Sequence, residues 1–431
     1  MNIKHTLIEN IQSNSLTFLA DAQSNTLLYG NGVKDFLSNS YQGTDGVNVS
    51  NVTFDTGAGD DFVSIEFSAG LTINGYGGDD CLHVESSKAI DINAGTGNDY
   101  VDFFDSYGSN IHLGFGHDTI NFSNGIETNV IGGFGNDTFN ISGEATQSEF
   151  NGGAGNDTFN YVSAQDGIIS GGQGLDTLNI TDAKNLSANL NAGNDIINAD
   201  GAYSSTINGG IGDDYFNFTN SDNNVLHGNG GNDYMVVSGE GNLLVGGHGC
   251  DTLLLESGGN RAFGGTGDDY ISVDISADSP SAAGSVLSGG AGHDSIFADS
   301  GNDKLFGGQG NDTLQDTLDM SNSGLANTGD DVMNGGAGHD TLISFSGNDV
   351  MTGGTGYDCF VFEDTSGIFT ATITDFCQGQ DTINLADYCT SFEALDIFVN
   401  NEGDTIINFE DTSCIVINDV DCITASDFAF V

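Results

Sequence analysis

The segment Asn151-Gly152-Gly153-Ala154-Gly155-Asn156-Asp157-Thr158-Phe159-Asn160 decides the fold. It reads Gly-Gly-x-Gly-x-Asp-x-U-x, with U a large apolar residue, and variants of it recur from Asp61 to Asp358. The motif aspartate falls at Asp61, Asp80, Asp99, Asp118, Asp137, Asp157, Asp176, Asp195, Asp214, Asp233, Asp251 and Asp269. The step is 19 residues with one-residue slips and shortens to 18. Self-similarity at a fixed period marks a stack of small units, because one unit cannot bury its own apolar face.

The columns of this repeat give the architecture. Two residues after the aspartate stand Val63, Leu82, Val101, Ile120, Phe139, Phe159, Leu178, Ile197, Phe216, Met235, Leu253 and Ile271; the position four residues after is apolar as well. Period-two alternation of this kind is a short strand with one face in a core. A second apolar column, twelve residues on, holds Ile73, Ile92, Ile111, Val130, Ile169, Ile207, Leu226, Val245 and Phe263, which predicts a strand on the opposite wall. One coil is therefore strand, turn, strand and glycine loop, and the chain reads as an all-β solenoid of 18–19-residue coils. Coils in register set like residues about 4.8 Å apart.

Outward from the repeat, residues 1–50 lack the motif and read as an N-terminal cap over the first core layer. Residues 51–276 form the single-row solenoid. Residues 277–283 read as a loop inserted in one coil, holding the single proline. Within 277–358 the motif aspartates are Asp294, Asp303, Asp312, Asp331, Asp340, Asp349 and Asp358; steps of nine appear, so both edges of a coil carry a loop. Counting an 18-residue coil predicts that Asp294, Asp312, Asp331 and Asp349 continue the first row. Asp303, Asp340 and Asp358 then occupy the other edge. A weak copy is disrupted near residues 319–324. Residues 359–431 read as a small β-rich C-terminal region, with strands at 360–362, 373–376, 381–385, 405–409 and 415–417 and one short helix over 391–399.

Composition narrows the function. Six basic residues face 62 acidic ones, a formal net charge of -56, so binding to nucleic-acid phosphate is excluded. Such a chain repels itself and resists compaction. No apolar run of membrane-spanning length occurs, and Met1 to Asn10 shows no secretory h-region. Seven cysteines, an odd number, leave at least one outside any intramolecular disulfide; Cys377 with Cys389 and Cys414 with Cys422 are the close pairs. No His-Glu-x-x-His and no Gly-x-Ser-x-Gly is present, and no stretch is long enough for a separate catalytic module, so an enzyme is not expected. His117, His293 and His339 sit at the variable place of Gly-His-Asp loops and read as turn residues.

The loops carry the chemistry. Glycine permits a tight turn at positive φ that aims backbone carbonyls inward, and the aspartate adds a carboxylate. Hard oxygen ligands of this kind suit Ca2+, which takes about 6–8 of them at roughly 2.3–2.6 Å. One loop supplies too few, so each ion is expected between loops of neighbouring coils. The candidate ligands are Asp61, Asp80, Asp99, Asp118, Asp137, Asp157, Asp176, Asp214, Asp233, Asp251, Asp269, Asp294, Asp303, Asp312, Asp331, Asp340, Asp349 and Asp358, for on the order of 10–16 calcium ions. Asp195 follows no second glycine pair and Asp118 follows Leu113-Gly114-Phe115, so both read as weak. The alternative is a metal-free β-helix with ordinary Gly-Asn-Asp turns, against which stands the repulsion of carboxylates stacked about 5 Å apart.

Residues 57–358 resemble the RTX calcium-binding nonapeptides. The resemblance implies a right-handed parallel β-roll loaded with Ca2+. The segment Ile373-Thr374-Asp375-Phe376 followed by Gly379-Gln380-Asp381-Thr382-Ile383-Asn384-Leu385, together with Asp427-Phe428, is similar to C-terminal regions of that family, which carry an uncleaved type I secretion signal. It implies export without an N-terminal signal peptide, an extracellular or cell-surface location, and folding on calcium after export. The single row of 19-residue coils departs from the nonapeptide pattern and is similar to RTX ice-binding adhesin domains.

One outward face bears on that last similarity. Thr119, Thr138, Thr158 and Thr177 follow their aspartates by one residue, and Asn121, Asn140, Asn160 and Asn179 by three. They read first as an asparagine ladder along the stack. The alternative is an array for ice or a glycan, but the loop position that holds Thr in the RTX ice binders here holds Ala58, Gly77, Thr96, Phe115, Phe134, Ala154 and Gln173. The expected function is a calcium-loaded structural or surface- or matrix-associated protein, with calcium, a cell surface, a matrix glycan or a second copy as partners.

Overall fold

Alternation along the repeat becomes two walls of parallel strands in a computed structural model. The structure describes residues 50–273, 283–298, 301–316, 329–345, 347–363, 369–385, 391–409 and 413–430, together with the backbone of short strands before residue 50. The chain divides into two units, Met1–Ile211 and Gly212–Val431. Each is an all-β parallel solenoid.

In the first unit the strand after each loop aspartate pairs with its counterpart one coil on. Tyr100–Phe104, Thr119–Ser123, Thr138–Glu144, Thr158–Gln165 and Thr177–Thr181 stack in this way. The register places Val101, Ile120, Phe139, Phe159 and Leu178 in one column. All five are fully buried, and Phe139 stacks on Phe159 at 4.6 Å between ring centroids. The facing wall stacks Asn110–Phe115, Asn129–Phe134, Glu149–Ala154 and Ile168–Gln173, burying Ile111, Val130, Phe150 and Ile169. At the corner opposite the loops, buried serines bond up the stack: the Ser68 N–H donates to Ser87 Oγ at 3.1 Å and the Ser87 N–H to Ser106 Oγ at 3.0 Å. Before residue 50, Ala22–Tyr29 already pairs in parallel with Val49–Asp55, and Phe36–Ser38 with Phe62–Glu66.

From Asp233 onward, in the second unit, the coil shortens to 18 residues, and this corrects the second apolar column. Val245 and Phe263 face outward, and Arg261 lies over the Phe263 ring at 5.2 Å. The buried positions are Leu244 and Ala262, seven residues before the next aspartate. That spacing also holds for Ile73, Ile207, Leu287, Leu305, Met333 and Met351. The column is therefore set by the loop that follows it; the missing residue comes out of the preceding turn, and a one-residue shift turns a strand residue to the other face.

The C-terminal region also departs from expectation. Residues 391–399 hold a single 3-10 turn, Phe392–Ala394, and then the strand Asp396–Val399, which pairs antiparallel with Thr405–Asn408. Ile397 and Val399 are β-branched and alternate, a pattern that favours the sheet over a helix. The expected strand over 373–376 ends at Ile373, the last residue of Thr370–Ile373. Cys414–Ile417 pairs in parallel with that strand, and Phe428–Ala429 pairs with Ile383 and Asn384. Cys414 and Cys422 are not joined in a disulfide. Cys389, residues 277–282 of the inserted loop and residues 319–324 lie outside the described residues. No helix among the described residues is long and apolar enough to cross a membrane.

Candidate metal centre: a row of buried loop carboxylates

Each loop aspartate follows the glycine turn and precedes a strand, so its side chain is held at the corner where the coil closes. Coil stacking then brings the carboxylates into a row. In the first unit the Asp61 N–H donates to Asp80 Oδ1 at 2.8 Å, and Asp80, Asp99, Asp118, Asp137, Asp157 and Asp176 donate in turn to the aspartate of the next coil at 2.7–2.9 Å. The last acceptor is Asp195, which joins the row although its loop lacks the second glycine pair. In the second unit the row runs Asp214, Asp233, Asp251, Asp269, Asp294, Asp312, Asp340, Asp358 and Asp381 at 2.8–3.0 Å.

This order corrects the assignment to edges. Asp340 and Asp358 continue the first row, whereas Asp331 and Asp349 stand on the other edge with Asp303, whose N–H donates to Asp331 Oδ1 at 2.7 Å. The step from Asp312 to Asp340 spans 28 residues. That coil is ten residues longer than an 18-residue one, which displaces a simple 18-residue count. The step of 25 from Asp269 to Asp294 is in register, as the inserted loop implied. Asp381 joins the row without a nonapeptide, so the motif could not reveal it.

The second carboxylate oxygen is the informative one. Asp80, Asp99, Asp118, Asp137, Asp157 and Asp176, and in the second unit Asp233, Asp251, Asp269, Asp294, Asp312, Asp340 and Asp358, each bury an Oδ2 that accepts no hydrogen bond. Gly152 shows where it lies. A Cβ on Gly152 would meet Asp157 Oδ2 at 2.1 Å and the carbonyl oxygen of Gly171, one coil on, at 2.7 Å. A carboxylate oxygen and a carbonyl oxygen from adjacent coils converge on the space that the missing side chain leaves. Gly155, at φ 134°, passes so close to the coil before it that a Cβ would stand 1.8 Å from the Gly135 carbonyl oxygen. In the loops of Asp99, Asp118 and Asp195 the first glycine is replaced by the buried side chains of Ala94, Leu113 and Leu190, so the convergence is altered there.

Burial dominates the electrostatics. It pushes Asp80, Asp137 and Asp176 up from 3.8 to about 7, helped by neighbouring carboxylates and opposed by the backbone N–H that each accepts. Asp99, Asp157 and Asp195 rise to about 6 by the same burial. In the second unit Asp233 and Asp269 reach about 7. A buried carboxylate without a counter-charge is costly, and a divalent cation offsets that cost directly. The donor set is all oxygen, from carboxylates and carbonyls, which is the set that Ca2+ prefers.

Where the residue before the aspartate is Asn, Asp or His, its side chain takes part in a second, exposed ladder. The Asn156 N–H donates to Asn136 Oδ1 at 2.9 Å, and the histidines serve the same way: Asn136 N–H donates to His117 Nδ1 at 2.9 Å, Asn311 N–H to His293 Nδ1 at 2.8 Å and Tyr357 N–H to His339 Nδ1 at 2.9 Å. The outward strand face forms a third ladder. Asn140 Nδ2 donates to Asn121 Oδ1 at 2.9 Å, Asn160 to Asn140 at 2.8 Å, Asn179 to Asn160 at 3.0 Å and Asn198 to Asn179 at 3.2 Å. Thr119, Thr138, Thr158 and Thr177 stand in register beside it, half-buried.

Comparison with known proteins bears on this row. The family model of the RTX calcium-binding nonapeptide repeat matches four stretches, residues 218–244, 254–279, 283–314 and 325–358. All four lie in the second unit, where from Asp233 an 18-residue coil is twice the nine-residue beat; the 19-residue coils of the first unit, which resemble the same repeat, fall outside them. No curated protein matches the chain. Among solved structures, a solution structure of the AlgE6R3 subunit from the Azotobacter vinelandii mannuronan C5-epimerase is similar at 22% identity and a TM-score of 0.23, covering 31% of this chain and 79% of that one. The chain carries RTX calcium-binding nonapeptide repeats, and these repeats bind Ca2+ in multiple sites.

Proposed function

We propose that the chain is an exported structural protein whose solenoid forms when Ca2+ enters between successive loops. The ligands are the loop carboxylates of Asp61, Asp80, Asp99, Asp118, Asp137, Asp157, Asp176, Asp214, Asp233, Asp251, Asp269, Asp294, Asp303, Asp312, Asp331, Asp340, Asp349 and Asp358, to which we add Asp195 and Asp381, with glycine carbonyls from the adjacent coil. One observation carries the reading: a buried carboxylate oxygen without a hydrogen bond recurs coil after coil along the row. In calcium-poor cytosol the charge of -56 keeps the chain expanded, and outside the cell Ca2+ binds the folded state alone and stabilises it by mass action. Residues 1–50 act as the N-terminal cap, and residues 359–431 combine a C-terminal cap with the export signal. The test is a far-UV circular dichroism titration of the whole chain with Ca2+ against Mg2+. At about pH 7.5 a cooperative coil-to-β transition with Ca2+ alone supports the proposal, and a full β spectrum that persists in excess chelator refutes it.

A second reading rests on the in-register threonines, Thr119, Thr138, Thr158 and Thr177, as a surface for ice or a glycan. The asparagine amides beside them are already engaged along the stack, which leaves the hydroxyl rank as the binding element. Replacing Thr138 and Thr158 with Tyr abolishes thermal hysteresis if that face binds ice; wild-type protein without hysteresis ends the reading.

A further inference from the structure

Four residues after the loop aspartate the chain points into the core. At that place the second unit carries Val237, Leu255, Val273 and Ala298, all buried, and then Asp316. Asp316 ends the strand Thr313–Asp316, pairs in register with Ala298 and is fully buried. An acid in an apolar column is costly unless something on the facing edge compensates it. What faces it is the second row of carboxylates. Oxygens of Asp316, Asp331 and Asp349 lie within 4.8 Å of one another, and all three residues are buried. Asp331 is 0% exposed, and its Oδ2 accepts no hydrogen bond. Ser344, at the same place one coil on, donates its Oγ to Asp349 Oδ2 at 2.6 Å.

We propose that Asp316, Asp331 and Asp349 hold one Ca2+ inside the second edge of the solenoid, with Ser344 orienting Asp349. Two oxygens on opposite sides of a calcium ion stand roughly 4.6–5.2 Å apart, so oxygens within 4.8 Å of one another fit a single ion. Thr328-Gly329-Asp330 precedes Asp331 and Ser346-Gly347-Asn348 precedes Asp349, so the Gly-Gly pair of the first row is missing and a core residue supplies the third carboxylate. The site extends the proposed loop sites to a ligand outside any glycine loop, and it rests on that calcium reading.

The experiment counts calcium ions on the whole chain by native mass spectrometry and follows thermal unfolding, for wild type, Asp316→Leu and Asp316→Asn. Leu restores the apolar column and Asn keeps the shape, so at least one variant remains foldable. The expected result is a maximal count lower by one ion or more in each folded variant. The Asp316→Leu midpoint is expected to fall in calcium and to rise without it wherever a folded metal-free form is reached by lowering pH. An unchanged count, with Leu stabilising under both conditions, overturns the site and identifies a protonated acid cluster. A wild-type chain that binds no calcium overturns the loop sites as well, so failure of the two readings is distinguishable.

Discussion

Acidification of the calcium-free chain tests the carboxylate row most directly. In the folded first unit Asp80, Asp137 and Asp176 titrate at about 7 and Asp99, Asp157 and Asp195 at about 6, against 3.8 when exposed. A folded-state pKa above the unfolded value means that the fold takes up protons. The resulting stabilisation is complete below about pH 4 and is lost as pH rises through about 6–7. Between about pH 7.5 and 5, a group at about 7 adds on the order of 2–3 kcal/mol to the folded state, and one at about 6 on the order of 1–2 kcal/mol. Together such groups are comparable to the net stability of an ordinary domain, roughly 5–15 kcal/mol, before their coupling reduces the sum. Circular dichroism in excess chelator is therefore expected to show β structure growing as pH falls from about 7.5 to about 5. With calcium present the trend reverses: protons compete for the carboxylates, so the calcium midpoint rises as pH falls. Sodium chloride, which screens the overall charge without protonating the row, is expected not to reproduce the acid effect. A β signal that is flat or falls on acidification in chelator refutes the reasoning.

Three substitutions probe the parts separately. Gly152→Ala sets a methyl 2.1 Å from Asp157 Oδ2 and is expected to raise the calcium midpoint severalfold in the titration, whereas an unchanged midpoint removes Gly152 from the site. Phe139→Ala empties a fully buried place stacked on Phe159 and is expected to cost about 3–5 kcal/mol in denaturant unfolding in calcium, with the site otherwise intact. Asn140→Ala removes a residue that both donates to Asn121 and accepts from Asn160, and about 1–2 kcal/mol is expected in the same assay; no change means that the ladder is solvated in effect.

The walls of the solenoid were legible because a coil makes the same local choices every 18 or 19 residues. Val101, Ile120, Phe139 and Phe159 could be placed in one column by counting, and parallel pairing put them there. Counting failed where chain length changed between fixed points. Val245 and Phe263 turn outward because the 18-residue coil loses its residue from a turn, and strand facing is anchored to the loop that follows. Asp331 and Asp349 change edges because an insertion lengthens one coil, which no periodicity can place. The region 391–399 forms a strand because Thr405–Asn408 offers it a partner, which is a tertiary fact.

The candidate site divides along the same line. The amino-acid sequence by itself determined that the loop aspartates recur, that glycine surrounds them and that the charge of the chain calls for cations, since these follow from residue identity and spacing. Only the tertiary structure decided which edge Asp331, Asp340, Asp349 and Asp358 occupy, that Asp381 belongs to the row, and that Asp316 meets Asp331 and Asp349. The physical reason is that a metal site is a distance between oxygens on different coils, and stacking, not sequence spacing, sets that distance.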